Sequence, residues 1–312
     1  MKSGELIAKS RLCLKGFAEP ISEGESNGSP TASRASHRVV CHTATQKRWP
    51  IASLDVSVAF LKGLSFEQLS VKGIERKPVA FVPCEEVWDI LAELAPQKFA
   101  QAAKNPGAFV FVLRKAAYGL RDAPLMWHLR AIEILTGLEY VATKHDSCLF
   151  VKRNAKGEII AMLTLHVDDL LMAATWEEIK LLEKNMSKVF GTLTLDVKKK
   201  FKHFGVDVSQ KDDCSEIVAS QASCISDLKP VEIPTRCNKQ DKCPPPKITE
   251  YRALVSAIAW VGVTSPIALC MASLLQSCLP EPTYGDIVRL NDNLTKLHAC
   301  YSPLIYRPIP ES

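Results

Sequence analysis

Two adjacent aspartates interrupt an otherwise apolar run, Leu163-Thr-Leu-His-Val-Asp-Asp-Leu-Leu-Met-Ala173. The flanks read as buried strands, Ile159–Leu165 and Leu170–Ala174, which puts Asp168 and Asp169 at the tip of a hairpin. Carboxylates placed side by side at such a tip repel one another and resist losing water unless a cation is present. A divalent metal resolves the conflict, and Mg²⁺ is usually held by one or two carboxylates together with substrate phosphates. A solvated turn is the alternative. The chain carries its own control in Asp212-Asp213, whose neighbours are all polar and which reads as plain surface.

A third acid stands in an apolar setting at Leu54-Asp55-Val56-Ser57-Val58-Ala59-Phe60-Leu61. An Asp inside an apolar strand needs a cap, a partner or a metal. Read alone, Asp55 caps the helix that follows. Read with Asp168 and Asp169, it completes the three-carboxylate set used in two-metal phosphoryl transfer, where the ions stabilise the attacking and leaving oxygens.

The remaining composition is permissive. With 312 residues, 47% of them hydrophobic, the chain is long enough for about two domains and needs no disulfides to bury a core. Eleven cysteines are scattered from Cys13 to Cys300 without a C-x-x-C pair, so neither a metal knuckle nor a disulfide framework is indicated. The first eleven residues are charged and lack an apolar segment, which argues against secretion and for an intracellular protein of cytoplasm or nucleus. The net charge of +5 leans toward polyanionic partners. From Ala253 to Pro280 no residue is charged, which raises a membrane span as an alternative. Pro266 argues instead for two shorter buried helices bent at Ser265-Pro266.

Along the chain, residues 18–37 read as a loop and Ile51–Val58 as a strand. Residues 73–107 read as an insertion with one helix, and Phe109–Leu113 as a strand ended by the Tyr118-Gly119-Leu120 turn. Asp122 is placed to cap a helix with Pro124 in its first turn, running to Gly137. Cys148–Val151 is a further strand, and Thr175-Trp-Glu-Glu178 opens a helix with the face Ile179, Leu182, Met186 and Val189, ending at Gly191. Residues 236–247 are polar and proline-rich and read as a boundary, followed by two apolar helices and a tail. Strands and helices alternate irregularly, so the fold class expected is α+β.

Six segments, in order, resemble the reverse transcriptase domain of copia-type retrotransposon Pol polyproteins. Lys9-Ser-Arg-Leu-Cys-Leu-Lys-Gly-Phe17 is similar to that family's K-A-R-L-V-x-K-G-F. Trp49-Pro-Ile-Ala-Ser-Leu-Asp-Val-Ser-Val-Ala-Phe-Leu-Lys-Gly63 is similar to its W-x-x-x-x-x-D-V-x-x-A-F-L-x-G, and Tyr118-Gly-Leu-Arg-Asp-Ala-Pro124 with Trp127 to its Y-G-L-K-Q-A-P-R-x-W. Asp146-Ser-Cys-Leu-Phe150 resembles D-x-x-L-F, His166-Val-Asp-Asp169 stands where Y-V-D-D is usual, and Tyr251-Arg-Ala-Leu-Val-Ser resembles Y-R-x-L-V-G.

The resemblance implies an RNA-directed DNA polymerase with a right-hand architecture. Fingers would cover about 1–50 and 64–130, the palm about 51–63 and 131–212, and a helical thumb-like or connecting region 213–312; with Asp292 and Glu311 the only acids after residue 290, the acidic ribonuclease H domain that the family places downstream is not expected here. It implies that Asp55, Asp168 and Asp169 ligate two Mg²⁺ (or Mn²⁺) ions, and that Lys9 and Arg11 contact the triphosphate. Phe60 would face the ribose 2′ position and Tyr118 lie near the template base; core packing and a tight turn are their alternatives. The implied partners are an RNA or DNA template with primer and deoxynucleoside triphosphates, with no membrane. Leu125, His166 and Ser265-Pro-Ile267 depart from the family pattern. A fragment that binds primer–template but polymerises poorly, or a catalytically dead remnant, is therefore also expected.

Overall fold

The computed structural model describes residues 11–19, 28–197 and 199–310. They divide into two compact units. One takes the described residues of Met1–Thr31 with Val56–Val141 and Met186–Leu193; the other takes Ala32–Asp55, Ala142–Asn185 and Thr194–Ser312.

The second unit is built on a six-stranded sheet. Five of its strands lie wholly in this unit, in the spatial order Leu149–Arg153, Ile159–His166, Asp169–Ala174, Ile51–Asp55 and Thr194–Asp196, all paired antiparallel. Because side chains alternate across a strand, Leu54, Leu163, Leu165, Leu170 and Met172 share one face, and all are essentially fully buried. On the other face Ile51, Met162, Leu171 and Ala173 pack with Val40, Cys41 and Ala44 of the helix Arg34–Lys47. The same cluster takes in Phe201, Val208 and Ile217 from a four-stranded antiparallel sheet ordered Leu304–Tyr306, Ile217–Ser220, Val206–Gln210, Lys200–His203. With both faces covered, the hairpin strands have no need of polar alternation, which is why their sequence reads as a continuous apolar run.

The helix Arg34–Lys47 overturns part of the loop expected over 18–37. Ser33 caps it, its hydroxyl accepting from the Ser36 N–H at 3.1 Å. Its buried stripe consists of small residues among polar ones, so its periodicity is weak. The expected bend at Ser265-Pro266 is present: helices Pro245–Val261 and Pro266–Gln276 are separated by four residues, with Ser265 capping the second. Two elements go beyond expectation. A third helix, Tyr284–Cys300, is held by a capping box between Thr283 and Asp286, and the strand Leu304–Tyr306 replaces an irregular tail. Tyr251, Val255, Ile258, Ala268, Ile287 and Leu294 form the core of these helices. Residues 213–312 are thus not helical throughout, since Ile217–Ser220 and Leu304–Tyr306 pair with each other. Among the described residues no helix is long and apolar enough to cross a membrane.

In the first unit the insertion carries two helices where one was expected, Glu85–Leu94 and Pro96–Lys104. Pro96 occupies the first turn of the second helix, where its missing N–H costs nothing, so it starts an element instead of ending one. The helix Ala123–Gly137 begins after Asp122 as expected, but the Asp122 side chain does not cap it. The carboxylate instead accepts from Arg76 Nε at 2.6 Å, and Arg76 also bridges to Glu19 at 2.6 Å. A buried guanidinium with two carboxylates competes successfully with a backbone N–H for that oxygen.

Candidate active site

Asp55 stands directly opposite Asp169 in the antiparallel register, and Asp169 stands opposite His166 on its other side. Side chains opposite one another in a sheet project to the same face with Cβ atoms about 4.5–5.5 Å apart. A polar row His166, Asp169, Asp55, Thr194 therefore crosses four strands at one end of the sheet. Val167 and Asp168 form the two-residue loop between the hairpin strands. Val167 has φ 56, at a position where glycine is the ordinary occupant of a type II′ turn, and Asp168 is not in the left-handed region. A β-branched residue there is a genuine outlier, so the turn is imposed by the buried flanks on either side.

Burial, then the charges of Asp168 and Asp55, push the Asp169 carboxyl up to about 6. Hard oxygen donors that repel one another are suited to a hard divalent cation, so the donor chemistry at this end of the sheet fits Mg²⁺ or Mn²⁺. Among the described residues, however, no three His, Cys, Asp or Glu side chains already stand gathered as a ligand set. Register brings Asp55 and Asp169 together; Asp168 adjoins them from the loop. The control pair behaves as surface: Asp212 and Asp213 are exposed, with ion pairs to Lys199 and Arg48.

Asp146, part of the D-x-x-L-F segment but not singled out by sequence reasoning, ties the helix Arg34–Lys47 to this unit. Its carboxylate accepts from Ser33 N–H at 2.8 Å, Ser36 Oγ at 2.5 Å and Cys148 N–H at 2.8 Å. Burial opposes its ionisation, yet these hydrogen bonds outweigh burial and hold its pKa below the usual carboxylate range. A carboxylate among the N–H groups that begin a helix also meets the favourable end of the helix dipole.

The other residues expected at the site lie in the other unit. The Arg11 guanidinium sits over the Tyr118 ring, 5.3 Å from its centroid, and the Phe60 ring lies 5.6 Å from that of Tyr118. Arg11, Tyr118 and Phe60 are thus brought together; Lys9 lies outside the described residues. The approach depends on two glycines. Leu14 N–H donates to the Tyr118 carbonyl at 2.7 Å, and a Cβ on Gly119, whose φ is +92°, would fall 2.0 Å from the Leu14 carbonyl oxygen. A Cβ on Gly16 would meet the Gly119 carbonyl oxygen at 2.1 Å. Only glycine permits this crossing of two backbones. Phe60 is half-buried and packs against the cluster around Leu64, Leu69 and Met126, so core packing accounts for part of its placement.

Residues 93–239 match the family described as Reverse transcriptase (RNA-dependent DNA polymerase), a span that includes Tyr118, Asp168 and Asp169 but begins after Asp55. The chain is also similar to curated proteins. The Retrovirus-related Pol polyprotein from transposon RE1 of Arabidopsis thaliana is 25% identical over 296 residues, 88% of this chain and 18% of the relative. The one from transposon RE2 of the same plant is 25% identical over 292 residues, again 88% and 18%. That from transposon TNT 1-94 of Nicotiana tabacum is 27% identical over 165 residues, 53% of this chain and 10% of the relative. The chain spans less than a fifth of the length of these relatives.

Proposed function

We propose that this chain, which resembles the reverse transcriptase domain of retrotransposon Pol polyproteins, is an RNA-directed DNA polymerase domain acting inside the cell on a primed RNA or DNA template. The observation that carries the reading is the placement of Asp55 opposite Asp169, with Asp168 next to them, although over a hundred residues of sequence intervene. In this reading the sheet bearing the three acids belongs to the palm, the Arg11, Phe60 and Tyr118 cluster to the fingers with its neighbouring palm segment, and the helices after residue 244 to the thumb.

Asp55, Asp168 and Asp169 would hold Mg²⁺ or Mn²⁺, which when bound supplies charge stabilisation to the attacking and leaving oxygens of phosphoryl transfer. The carboxylates themselves do the holding; burial first, then the charges of Asp168 and Asp55, raises the Asp169 pKa, a cost that a bound cation would offset. Arg11, with Lys9, offers guanidinium and ammonium donors to a triphosphate. Its stacking on Tyr118 fixes the direction of that fork. Phe60, whose ring lies beside that of Tyr118, would exclude a 2′-hydroxyl by bulk.

A second reading, a remnant that binds nucleic acid without turnover, is favoured by the absence of an assembled three-acid ligand set among the described residues. Primer extension on poly(rA)–oligo(dT), beside a salt titration of primer–template binding, separates the two. Mg²⁺-dependent extension lost in Asp168→Asn establishes the polymerase. Salt-sensitive binding without extension establishes the remnant, log affinity falling with log salt by about 0.7–0.9 per phosphate neutralised. Absent or salt-independent binding removes both.

A further inference from the structure

Arg76 stands on an irregular stretch, residues 74–79, with its side chain only 9% exposed. Its Nε donates to Asp122 Oδ2 and its Nη2 to Glu19 Oε1, both at 2.6 Å, and the guanidinium lies over the Phe66 ring, 5.4 Å from the centroid. A planar fork held by a carboxylate at each end fixes direction as well as distance.

The two carboxylates belong to the two backbones that cross at Gly16 and Gly119. Glu19 lies three residues beyond Gly16, on the arm that carries Arg11; Asp122 lies three residues beyond Gly119, on the turn that carries Tyr118. Residues 11–15 have no helix or strand of their own. Their course is set by contacts with the turn: Leu14 N–H to the Tyr118 carbonyl, the Arg121 guanidinium to the Phe17 carbonyl at 3.1 Å, and the Arg76 bridge.

The bridge is made at a cost to stability. Asp122 immediately precedes the helix Ala123–Gly137, where a carboxylate can cap the first N–H groups, but it makes no such bond. Its Oδ2 turns to Arg76 instead, and its Oδ1 is left buried without a hydrogen-bond partner. A half-satisfied buried carboxylate that forgoes a helix cap calls for an explanation other than stability alone.

We propose that Arg76 is a positioning residue for triphosphate binding: by bridging Glu19 to Asp122 it holds the arm of Arg11 against the turn of Tyr118, and so sets the direction in which the Arg11 guanidinium is presented. This rests on the reading of Arg11 as a triphosphate contact given above. Arg76 is too buried to meet the phosphates itself and acts through Arg11. Without the bridge, the Leu14 hydrogen bond and the stacking of Arg11 on Tyr118 would no longer be enforced, and binding would first have to order the arm.

The test is a calorimetric titration of the full chain with deoxythymidine triphosphate and Mg²⁺, arranged as a double-mutant cycle. Arg11→Ala and Arg76→Gln should each weaken binding by about tenfold or more, the scale of one hydrogen bond to a charged group. The double variant should be weaker than either single one by no more than about threefold, because the two residues act as a unit. Losses that add in full mean that Arg76 only supports the fold, and overturn the proposal. Arg76→Gln leaves two carboxylates without their cation and can fail to fold. A charge-free set, Glu19→Gln with Arg76→Met and Asp122→Asn, is therefore titrated beside it. With wild-type circular dichroism this set should show the same loss; wild-type affinity in it overturns the proposal and leaves the reading of Arg11 intact. A wild-type chain that does not bind the triphosphate, or an Arg11→Ala variant that binds it unchanged, removes the reading of Arg11 and this inference with it.

Discussion

Asp55 and Asp169 face each other across two antiparallel strands, each the other's register partner, with His166 completing the row beyond Asp169. Like charges directly opposite in a sheet are destabilising, so in the absence of a cation this pair works against the fold that creates it.

Asp169→Asn should therefore stabilise the metal-free chain near neutral pH. The folded-state pKa of Asp169, about 6, lies above the ordinary value of 3.8. A raised carboxyl pKa gives stability that is full below the unfolded value and lost as pH rises through the folded one. The variant's advantage should be absent below about pH 4, grow between pH 4 and 6, and level off above. Discounted for solvent exposure, it should reach about 1–2 kcal/mol. Urea denaturation at pH 4.5 and 7.5 measures it; an advantage independent of pH would count against the ionisation of a buried carboxylate beside Asp168 and Asp55 as its source.

Gly119→Ala should cost about 3 kcal/mol or more, because the new Cβ meets the Leu14 carbonyl and φ is +92°. Gly107→Ala, where nothing lies within 4 Å, should change stability by less than about 0.5 kcal/mol. Thermal melts of the two variants side by side decide whether the crossing of Leu14 and Gly119 is as tight as described.

Val167→Gly should raise stability by about 1 kcal/mol. Relief of a β-branched residue at φ 56 exceeds the entropy gained by the unfolded chain. Equal or lower stability would mean that contacts of the valine side chain compensate its backbone.

Phe60→Ala should relax discrimination against ribonucleotides more than it slows deoxynucleotide addition, if extension is detected. Competition assays with paired ribo- and deoxynucleotides read the ratio directly. Unchanged discrimination would return Phe60 to a packing role beside Leu64 and Met126.

The hairpin and its acids were legible because a charge pair inside a buried run is costly, and few arrangements tolerate it. The break before Pro266 was legible because proline acts locally. The helix Arg34–Lys47 escaped because its buried stripe, Val40, Cys41 and Ala44, is short and small-sided among polar residues. Asp122 read correctly as a helix boundary but not as the partner of Arg76, a contact made across forty-six positions.

The strand Ile51–Asp55 lies between Asp169–Ala174 and Thr194–Asp196, both of which follow it by more than a hundred residues. During synthesis that strand emerges with no neighbour on either edge until Asp169–Ala174 has been made, and one edge stays open until Asp196 follows. Its unpaired edges are exposed for that interval, the situation in which apolar strands find wrong partners. Closing so long a loop also makes this pairing a late and slow event in folding. The carboxylates that face each other in the finished sheet thus cannot meet until more than half of the chain has been made, and a ribosome stalled before residue 169 would hold a nascent chain with Asp55 present and no site.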